Sequence, residues 1–312
     1  MNAEYFISVD WGTTNLRIRA IETATLKIID AVHSNNGVKQ IFMLWKKSEQ
    51  SRTDFFFNIL RTEIDKLKGN EVNSFPILIS GMASSSIGLK ELSYAPIPFN
   101  TNGQSLHIEK IEDQIFLISG VQSETDVIRG EEVQLLGLSH LCVPNKTNIF
   151  ILPGTHSKHL TIQNNHVTQF KTYITGELFD VLSKHSILSS SINQGNFDRQ
   201  TINGFTKGIQ DSQNGNSILN SIFKTRTNSL FETLNPQENY YYLSGLLIGE
   251  ELKELINLKD ASSIHLCASG TLFELYKMAI DILKLNTITS IVSKQTVDTA
   301  VVKGHSKLLK TL

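Results

Sequence analysis

The sequence has few cysteines and no excess of charge of either sign. Its 312 residues include two cysteines, Cys142 and Cys267, which are not part of a Cys-x-x-Cys pair. That spacing argues against a disulfide scaffold, a zinc site and a redox dithiol. Lys and Arg number 29 against 30 for Asp and Glu, and no basic run is present. A nucleic-acid partner is therefore not predicted, and a small-molecule partner fits better.

Long apolar runs are also missing. No segment is apolar over the length needed to span a bilayer, and residues 1–10 lack the basic and apolar regions of a signal peptide. These absences predict a cytoplasmic protein with no membrane partner. The length allows two domains, each with its own core, or one large domain, and two are expected.

The stretch from Asp10 to Asn15 lies between two segments of alternating apolar residues. This alternation predicts two strands, so residues 5–20 are expected to form a β-hairpin. Its turn offers a carboxylate, a glycine free to take positive φ, two hydroxyls and an amide: Asp10, Gly12, Thr13, Thr14 and Asn15. Backbone N–H groups of such a loop can converge on a phosphate, and Asp10 then requires Mg²⁺ between the two negative groups. The alternative is an ordinary turn built from Thr and Asn.

A second copy of this pattern follows in the other half of the chain. The apolar strand 148–152 leads into a Gly-Thr turn, and an alternating strand continues to Gln163. The candidate phosphate-binding residues of this copy are Gly154, Thr155, His156, Ser157 and Lys158. Two such loops facing each other across a cleft would clamp a polyphosphate, and Lys158 would neutralise part of its charge. His156 and His159 are not predicted to form a zinc site, because no Cys or carboxylate lies nearby in sequence.

A loop rich in hydroxyl groups follows the buried strand predicted at 76–80. Ligands of open α/β sheets bind beyond the C-terminal ends of strands, so this loop is a candidate for binding a polyol or a keto acid. Its candidate residues are Gly81, Met82, Ser84 and Ser85. The alternative is a solvated, serine-rich turn.

Two adjacent carboxylates, Glu131 and Glu132, stand at the predicted start of a helix. A hydroxyl nucleophile needs a proton acceptor, and one of these two side chains could face it. The alternative is that the positive end of the helix dipole favours both glutamates. Arg129 could bind a substrate carboxylate bidentately or pair with a glutamate.

The last third of the chain alternates helices and buried strands. Residues 193–215 are expected to be irregular connections around a short apolar segment, and amphipathic helices are predicted at 217–234 and 238–258. A buried strand at 263–268 turns at Gly270 and Thr271 into another helix. This corner is typical of a nucleotide site, because Gly permits close approach and the helix N-terminus is electropositive. The alternative is a plain strand-to-helix turn.

The order of these motifs along the chain resembles that of the sugar kinase/hexokinase/heat-shock-ATPase/actin superfamily. A closer resemblance, to the 2-dehydro-3-deoxygalactonokinase family, rests on six sequence motifs. They are Asp10-Trp11-Gly12-Thr13-Thr14-Asn15-Leu16-Arg17, Gly81-Met82, Arg129-Gly130-Glu131-Glu132 with Gln134, Leu152-Pro153-Gly154-Thr155-His156-Ser157-Lys158, Thr175-Gly176-Glu177-Leu178 with His185-Ser186-Ile187-Leu188, and Leu243-Ser244-Gly245-Leu246-Leu247-Ile248-Gly249. The resemblance covers nearly the whole chain. It implies an α/β protein of two RNase H-like domains, with mixed sheets flanked by helices and the ATP site in the cleft between them. We place these domains at 1–145 and 146–312.

The resemblance also implies an activity. The expected enzyme is a kinase, a transferase that moves the γ-phosphoryl group of ATP to the 6-hydroxyl of 2-dehydro-3-deoxy-D-galactonate in galactonate catabolism. By the same resemblance Asp10 helps to place Mg²⁺, and Gly270 and Thr271 lie near the adenosine. We favour Glu131 as the base over Glu132 and Asp126. The substrate residues are predicted to be Arg17, Gly81, Met82, Ser84, Ser85 and Arg129.

Other functions remain open at this stage. They are a kinase of another keto-deoxy sugar acid, a phosphohydrolase, and an ATP-dependent switch without enzymatic activity, since a fold alone does not define a function. The predicted partners are ATP and a small sugar acid, and a homodimer is the assembly considered.

Overall fold

The computed structural model of the protein describes residues 3–68, 74–258 and 262–312. These residues form two six-stranded mixed sheets, one sheet of three short strands, and helices. The strands are β1 (Tyr5–Trp11), β2 (Leu16–Glu22), β3 (Lys27–Ser34), β4 (Ile77–Gly81), β5 (Ala95–Pro96), β6 (Phe99–Asn100), β7 (Ile108–Glu112), β8 (Ile115–Ile118), β9 (Val121–Gln122), β10 (Val127–Ile128), β11 (Thr147–Leu152), β12 (Ser157–Gln163), β13 (His166–Tyr173), β14 (Ser262–Leu266) and β15 (Thr289–Ile291). The α-helices are α1 (Val38–Trp45), α2 (Arg52–Ile64), α3 (Glu131–Leu138), α4 (Thr175–His185), α5 (Thr201–Gln213), α6 (Ile218–Leu230), α7 (Pro236–Leu252), α8 (Gly270–Ile282) and α9 (Lys294–Leu309). None of the helices in these ranges has the length and apolar content that a membrane span requires.

The first sheet has the strand order β3-β2-β1-β4-β8-β7. The predicted hairpin is present, with β1 antiparallel to β2 and parallel to β4. Side chains alternate between the two faces of a strand, so Ile7 and Val9 join the core under α1 and α2 while Ser8 and Asp10 face the opposite side. The register pairs Asp10 with Ser80, which immediately precedes the Gly81 loop.

The second sheet contains the order β15-β14-β11-β12-β13, which repeats the order β8-β4-β1-β2-β3 of the first sheet. Strand β14 is parallel to both β11 and β15. Since Ile151 of β11 pairs with Leu266 of β14, the segments that follow these two strands leave the sheet at the same edge. This edge therefore carries both the second Gly-Thr turn and the Gly270 corner.

The internal contacts group the chain into two compact units. Unit 1 comprises Met1–Cys142, Ile162–Phe170 and Asp298–Leu312, and unit 2 comprises Val143–Thr161 and Lys171–Val297. Most of α9 thus belongs to unit 1, where a Cβ added at Gly304 would lie 2.0 Å from the carbonyl oxygen of Val133 on α3. The sequence-based division places α9 after the boundary at residue 145, because the return of the chain to its first unit leaves no mark in the sequence pattern.

Helix α5 corrects one expectation. Residues 193–215 were expected to be irregular, but Thr201–Gln213 form a helix that packs along α7. Its composition is poor in strong helix formers, and tertiary packing supplies the stability that propensity lacks. Glycines allow the close approach of the two helices: a Cβ at Gly208 would lie 2.1 Å from the carbonyl oxygen of Tyr242.

The α5–α7 contact predicts the effect of adding one methyl group. Gly208→Ala is expected to lower the free energy of unfolding by about 1–3 kcal/mol, because the atoms that the methyl group meets belong to the backbone and cannot rotate away. Urea unfolding followed by circular dichroism measures the change. Asn220→Ala, at an exposed position of α6, is the control and should change the free energy of unfolding by less than about 0.5 kcal/mol. Equal stability of Gly208→Ala and the parent would contradict this packing.

Candidate active site

The first Gly-Thr loop, residues 12–15, is a tight turn that rests on the N-terminus of α1. The backbone N–H of Gly12 donates to the carbonyl oxygen of Asn15 at 2.9 Å, and the N–H of Val38 donates to the carbonyl oxygen of Gly12 at 3.0 Å. A Cβ at Gly37 would lie 2.3 Å from the carbonyl carbon of Thr14, so this glycine permits the close contact. Gly12 itself does not adopt positive φ, contrary to the suggestion of its sequence. Thr13 and Thr14 are exposed, and Asn15 donates to the Thr14 hydroxyl at 3.0 Å.

Asp10 and Arg17 form an ion pair across the base of this loop. The distance from Arg17 Nη1 to Asp10 Oδ2 is 3.0 Å. The Arg17 side chain is 48% exposed and the Asp10 side chain is 23% exposed. One carboxylate with open access fits Mg²⁺, which usually takes one or two protein carboxylates together with waters and substrate phosphates. In the described part of the chain no cluster of three or more His, Cys, Asp or Glu side chains is arranged for a metal. Any metal here would therefore be shared with a bound ligand.

The Gly81 loop and the segment before α3 meet in unit 1. Both glycines at the contact have positive φ, +86° at Gly81 and +105° at Gly130, and a Cβ at Gly130 would lie 3.4 Å from the Cα of Gly81. Arg129 Nη1 donates to both the carbonyl and the hydroxyl oxygen of Ser84 at 2.5 Å. The guanidinium also lies 4.3 Å from the centre of the Tyr94 ring, a cation–π contact. The structure thus brings two separate sequence motifs into one cluster.

The other residues predicted in this loop have local roles. The Ser85 hydroxyl donates to the carbonyl oxygen of Met82 at 2.7 Å, and Ser84 donates to that of Gly81 at 3.3 Å. Met82 is partly buried against the core of unit 1. The serines therefore shape the turn, and Arg129 is the charged group that they hold.

Glu131 and Glu132 have different environments at the start of α3. Glu131 is partly buried and accepts the backbone N–H of Arg129 at 3.0 Å. Glu132 is fully buried and accepts the N–H of Gly130 at 2.7 Å, while its other oxygen has no hydrogen-bond partner among the described residues. Burial, with a smaller contribution from the negative charge of Glu131, raises the pKa of Glu132 to about 8. Asp126, the third candidate, is partly buried and accepts the N–H of Val127.

The second Gly-Thr loop, residues 153–156, is covered by the first turn of α4. A Cβ at Gly176 would lie 2.5 Å from the carbonyl oxygen of Gly154. The N–H of Glu177 donates to the carbonyl oxygen of Thr155 at 2.9 Å, and the Glu177 carboxylate contacts the His156 ring. Thr155 and His156 are exposed. The loop backbone is therefore fixed while its outer side stays open.

The two residues after this loop are buried. Lys158 is 6% exposed and its ammonium group donates to the carbonyl oxygen of His156 at 3.0 Å. Ser157 is fully buried and its hydroxyl donates to Glu251 Oε1 at 2.6 Å. Both side chains, predicted to bind phosphate, lie behind the loop in this conformation.

A buried carboxylate that the sequence analysis missed organises this region. Glu251 is 3% exposed and accepts four hydrogen bonds, two at each oxygen. The four donors, which with Glu251 we call the Glu251 cluster, are Ser157, His159, Thr175 and Tyr276. Burial acts to raise the pKa of Glu251, but the hydrogen bond and charge of His159, together with the hydrogen bonds of Ser157 and Thr175, outweigh it and hold the pKa below its usual value. The sequence offered one sign of this buried carboxylate: Glu251 follows Leu247 by one helical turn and so places a charged residue on the apolar face of the helix.

Two neighbouring cavities in unit 2 connect the second Gly-Thr loop with the Gly270 corner. The larger, about 690 Å³, is lined by Gly270 and Thr271 at the N-terminus of α8 and by the aromatic rings of Phe197, Tyr241 and Phe273. The smaller, about 260 Å³, is lined by Gly154, Gly176 and Thr271. Thr271 lines both cavities. Gly270 has φ +63° and nothing within 4 Å of an added Cβ, so its backbone is open to a ligand.

A family model described as 2-keto-3-deoxy-galactonokinase matches residues 10–304. The chain belongs to this family. The matched range contains every candidate site residue named above, from Asp10 to Thr271. The family assignment and the α/β fold class predicted from the sequence are thereby confirmed.

Individual members of the galactonokinase family resemble the chain over most of its length. The 2-dehydro-3-deoxygalactonokinase of Escherichia coli (strain K12) is 29% identical over 286 residues, which is 89% of this chain and 90% of the relative. DgoK1 of Rhizobium meliloti (strain 1021), which carries the same enzyme name, is 28% identical over 298 residues and 91% of each chain. A crystal structure assigned to a 2-dehydro-3-deoxygalactonokinase protein from Sinorhizobium meliloti has a TM-score of 0.80 at 28% identity and covers 99% of this chain and 97% of its own.

The environment of Glu132 predicts a dependence of stability on pH. Its carboxyl group has a pKa of 4.5 when unperturbed and about 8 in the folded protein. Between these values the unfolded chain loses the proton and the folded protein keeps it, so the free energy of unfolding falls as pH rises. Glu132→Gln lacks this contribution, so its stability relative to the parent should increase with pH across this range and be constant below 4.5.

Urea unfolding at several pH values measures the difference. Glu124→Gln, at an exposed position, controls for the change in net charge. A stability difference between Glu132→Gln and the parent that does not vary with pH would contradict the assignment.

Proposed function

We propose that the protein is an ATP-dependent kinase that phosphorylates the 6-hydroxyl of 2-dehydro-3-deoxy-D-galactonate, a step of galactonate catabolism. The observation that carries this function is the family match over residues 10–304. In the reaction, the hydroxyl oxygen of the sugar acid forms a bond to the γ-phosphorus, the bond from that phosphorus to the β,γ-bridging oxygen breaks, and the hydroxyl proton passes to a base. ADP and the phosphorylated sugar acid are the products.

We propose that unit 2 binds the nucleotide. The larger cavity at Gly270 and Thr271 has the volume and the aromatic walls for a nucleoside, and the smaller one leads to Gly154. Backbone N–H groups of the second Gly-Thr loop, together with Thr155 and His156, are then the phosphate ligands of this unit. Ser157 and Lys158 support the loop from behind, which agrees with their burial.

In unit 1 we assign the first Gly-Thr loop to phosphate and Asp10 to Mg²⁺. The Asp10 carboxylate uses Oδ2 for Arg17, and among the described residues Oδ1 accepts no hydrogen bond. Mg²⁺, when bound, neutralises charge on the phosphates. Thr13, Thr14 and Asn15 present exposed or partly exposed polar groups beside it, and Arg17 keeps Asp10 oriented.

The sugar acid is assigned to Arg129 and the Gly81 loop. Both hydrogen bonds from Arg129 to Ser84 use Nη1, and the remaining donors of a guanidinium fork match a carboxylate. The ring of Tyr94 and the serine contacts hold the guanidinium in place, which lowers the entropy lost on binding. Gly81 and Met82 supply backbone to the same subsite.

Glu131 is the proposed base. Glu132 is fully buried, and with a pKa of about 8 it keeps its proton near neutral pH, which makes it a poor proton acceptor. Glu131 begins the same helix, is partly exposed, and is oriented by the N–H of Arg129. The base and the proposed carboxylate-binding arginine are therefore two residues apart.

The activity is tested with a coupled assay of ADP release. ADP is expected only when a 2-keto-3-deoxy sugar acid and Mg²⁺ are both present, and chelation of the metal should stop the reaction. A panel of keto-deoxy acids identifies the preferred epimer. Equal ADP release without any acceptor would contradict the kinase and favour a phosphohydrolase. The cytoplasmic location and the homodimer stay predictions of the sequence.

The base is tested by Glu131→Gln. Loss of general base catalysis should lower kcat by about a hundredfold or more, while the dissociation constant for ADP stays unchanged because the residue does not contact the nucleotide in this proposal. Glu132→Gln and Asp126→Asn are measured in parallel. Full activity of Glu131→Gln, with a large loss in one of the other two variants, would move the role to that residue.

A further inference from the structure

We infer that Glu251 is a positioning residue for nucleotide binding: it holds the second Gly-Thr loop, the start of α4 and helix α8 in one arrangement. This inference rests on the proposed function of unit 2. None of the hydrogen bonds that Glu251 accepts comes from the loop residues 153–156, all of which the structure describes, so it acts on the loop through the four donors of the Glu251 cluster.

The four donors come from three elements that border the two cavities. Ser157 and His159 lie on β12, immediately after the loop, and bind Glu251 Oε1 at 2.6 and 3.0 Å. Thr175 is the first residue of α4 and donates to Oε2. Tyr276 on α8 donates to the same oxygen at 2.7 Å. One carboxylate on α7 therefore connects the loop strand, the helix that covers the loop and the helix of the Gly270 corner.

Each connection leads to a group proposed to touch the nucleotide. Thr175 precedes Gly176, which packs on the Gly154 carbonyl, and Glu177, which holds Thr155 and His156. Tyr276 lies on the same helix as Thr271, which lines both cavities. A shift of any of these elements would separate the phosphate end of the site from the nucleoside end.

The charge of Glu251 is needed for this arrangement. An ionised carboxylate has only acceptors, so two donors can converge on each of its oxygens. Glu251 is only 3% exposed, and an unpaired charge at such a buried position would be costly. The four hydrogen bonds offset this cost. Glutamine has the same shape, but its NH₂ group must face one pair of donors, which then have to rotate or separate.

Glu251→Gln provides the test. Amide hydrogen exchange in peptides covering 153–158 and 174–178 should be about tenfold faster than in the parent, because side-chain donors that hold these segments in place lose a shared acceptor. The dissociation constant for ADP should rise by about tenfold, in line with other residues that orient ligand-binding groups from behind. The KM for the sugar acid should stay unchanged, since its proposed site lies in unit 1.

Asn148→Ala is the matched control. Asn148 is 3% exposed on β11, at the end away from the loop, and hydrogen-bonds with His265 and the backbone of Val143 and Lys146. Its removal should lower stability without changing exchange in either peptide or ADP affinity. If Glu251→Gln does not fold, Thr175→Val removes the single donor at the start of α4 and should speed exchange in the 174–178 peptide.

Unchanged exchange in both peptides of a folded Glu251→Gln variant would overturn the positioning role. Faster exchange in Asn148→Ala to the same extent would also overturn it, since the effect would then be one of general stability. Failure of the proposed function is recognised separately, because the parent would then show no acceptor-dependent ADP release while the exchange experiment still tests Glu251.

Discussion

The arrangement of the elements that border the two cavities of unit 2 depends on one buried negative charge. Glu251 is buried on α7 and accepts hydrogen bonds from four side chains, and three of them, His159, Ser157 and Thr175, hold its pKa below the usual value in spite of burial. The glycine contacts between α5 and α7 set the position of the helix that carries it. Packing therefore fixes α7, α7 places the carboxylate, and the carboxylate orders the loop and helices that border the two cavities.

Unit 1 uses backbone geometry more than buried charge. Gly81 and Gly130, both with positive φ, lie where two chain segments meet, and next to this contact Arg129 lies against Ser84 and Tyr94. Glu132 is fully buried, one of its oxygens has no hydrogen-bond partner among the described residues, and its raised pKa keeps it uncharged near neutral pH. Its neighbour Glu131 remains partly exposed. Two adjacent glutamates thus have different chemistry because consecutive helical side chains point in different directions.

The motifs recognised in the sequence consist of consecutive residues, and such segments form the local structure that their pattern predicts. The alternation of apolar residues around Asp10 predicted β1 and β2, because the two faces of a strand impose a period of two. The repeated Gly-Thr motif predicted the second loop. Helix α5 was missed, since its residues have weak helix propensity and its stability comes from contact with α7.

By itself, the sequence determined the family, the α/β class and the short segments that carry the candidate site, because each of these depends on patterns of residues that are adjacent in the chain. Only the tertiary structure decided which of those side chains are exposed. It placed Ser157 and Lys158 behind their loop, paired Arg17 with Asp10, and joined Arg129 to Ser84. It also assembled the Glu251 cluster from distant positions, from Ser157 to Tyr276. Contacts between distant segments follow from packing and burial, and no spacing within the chain encodes them.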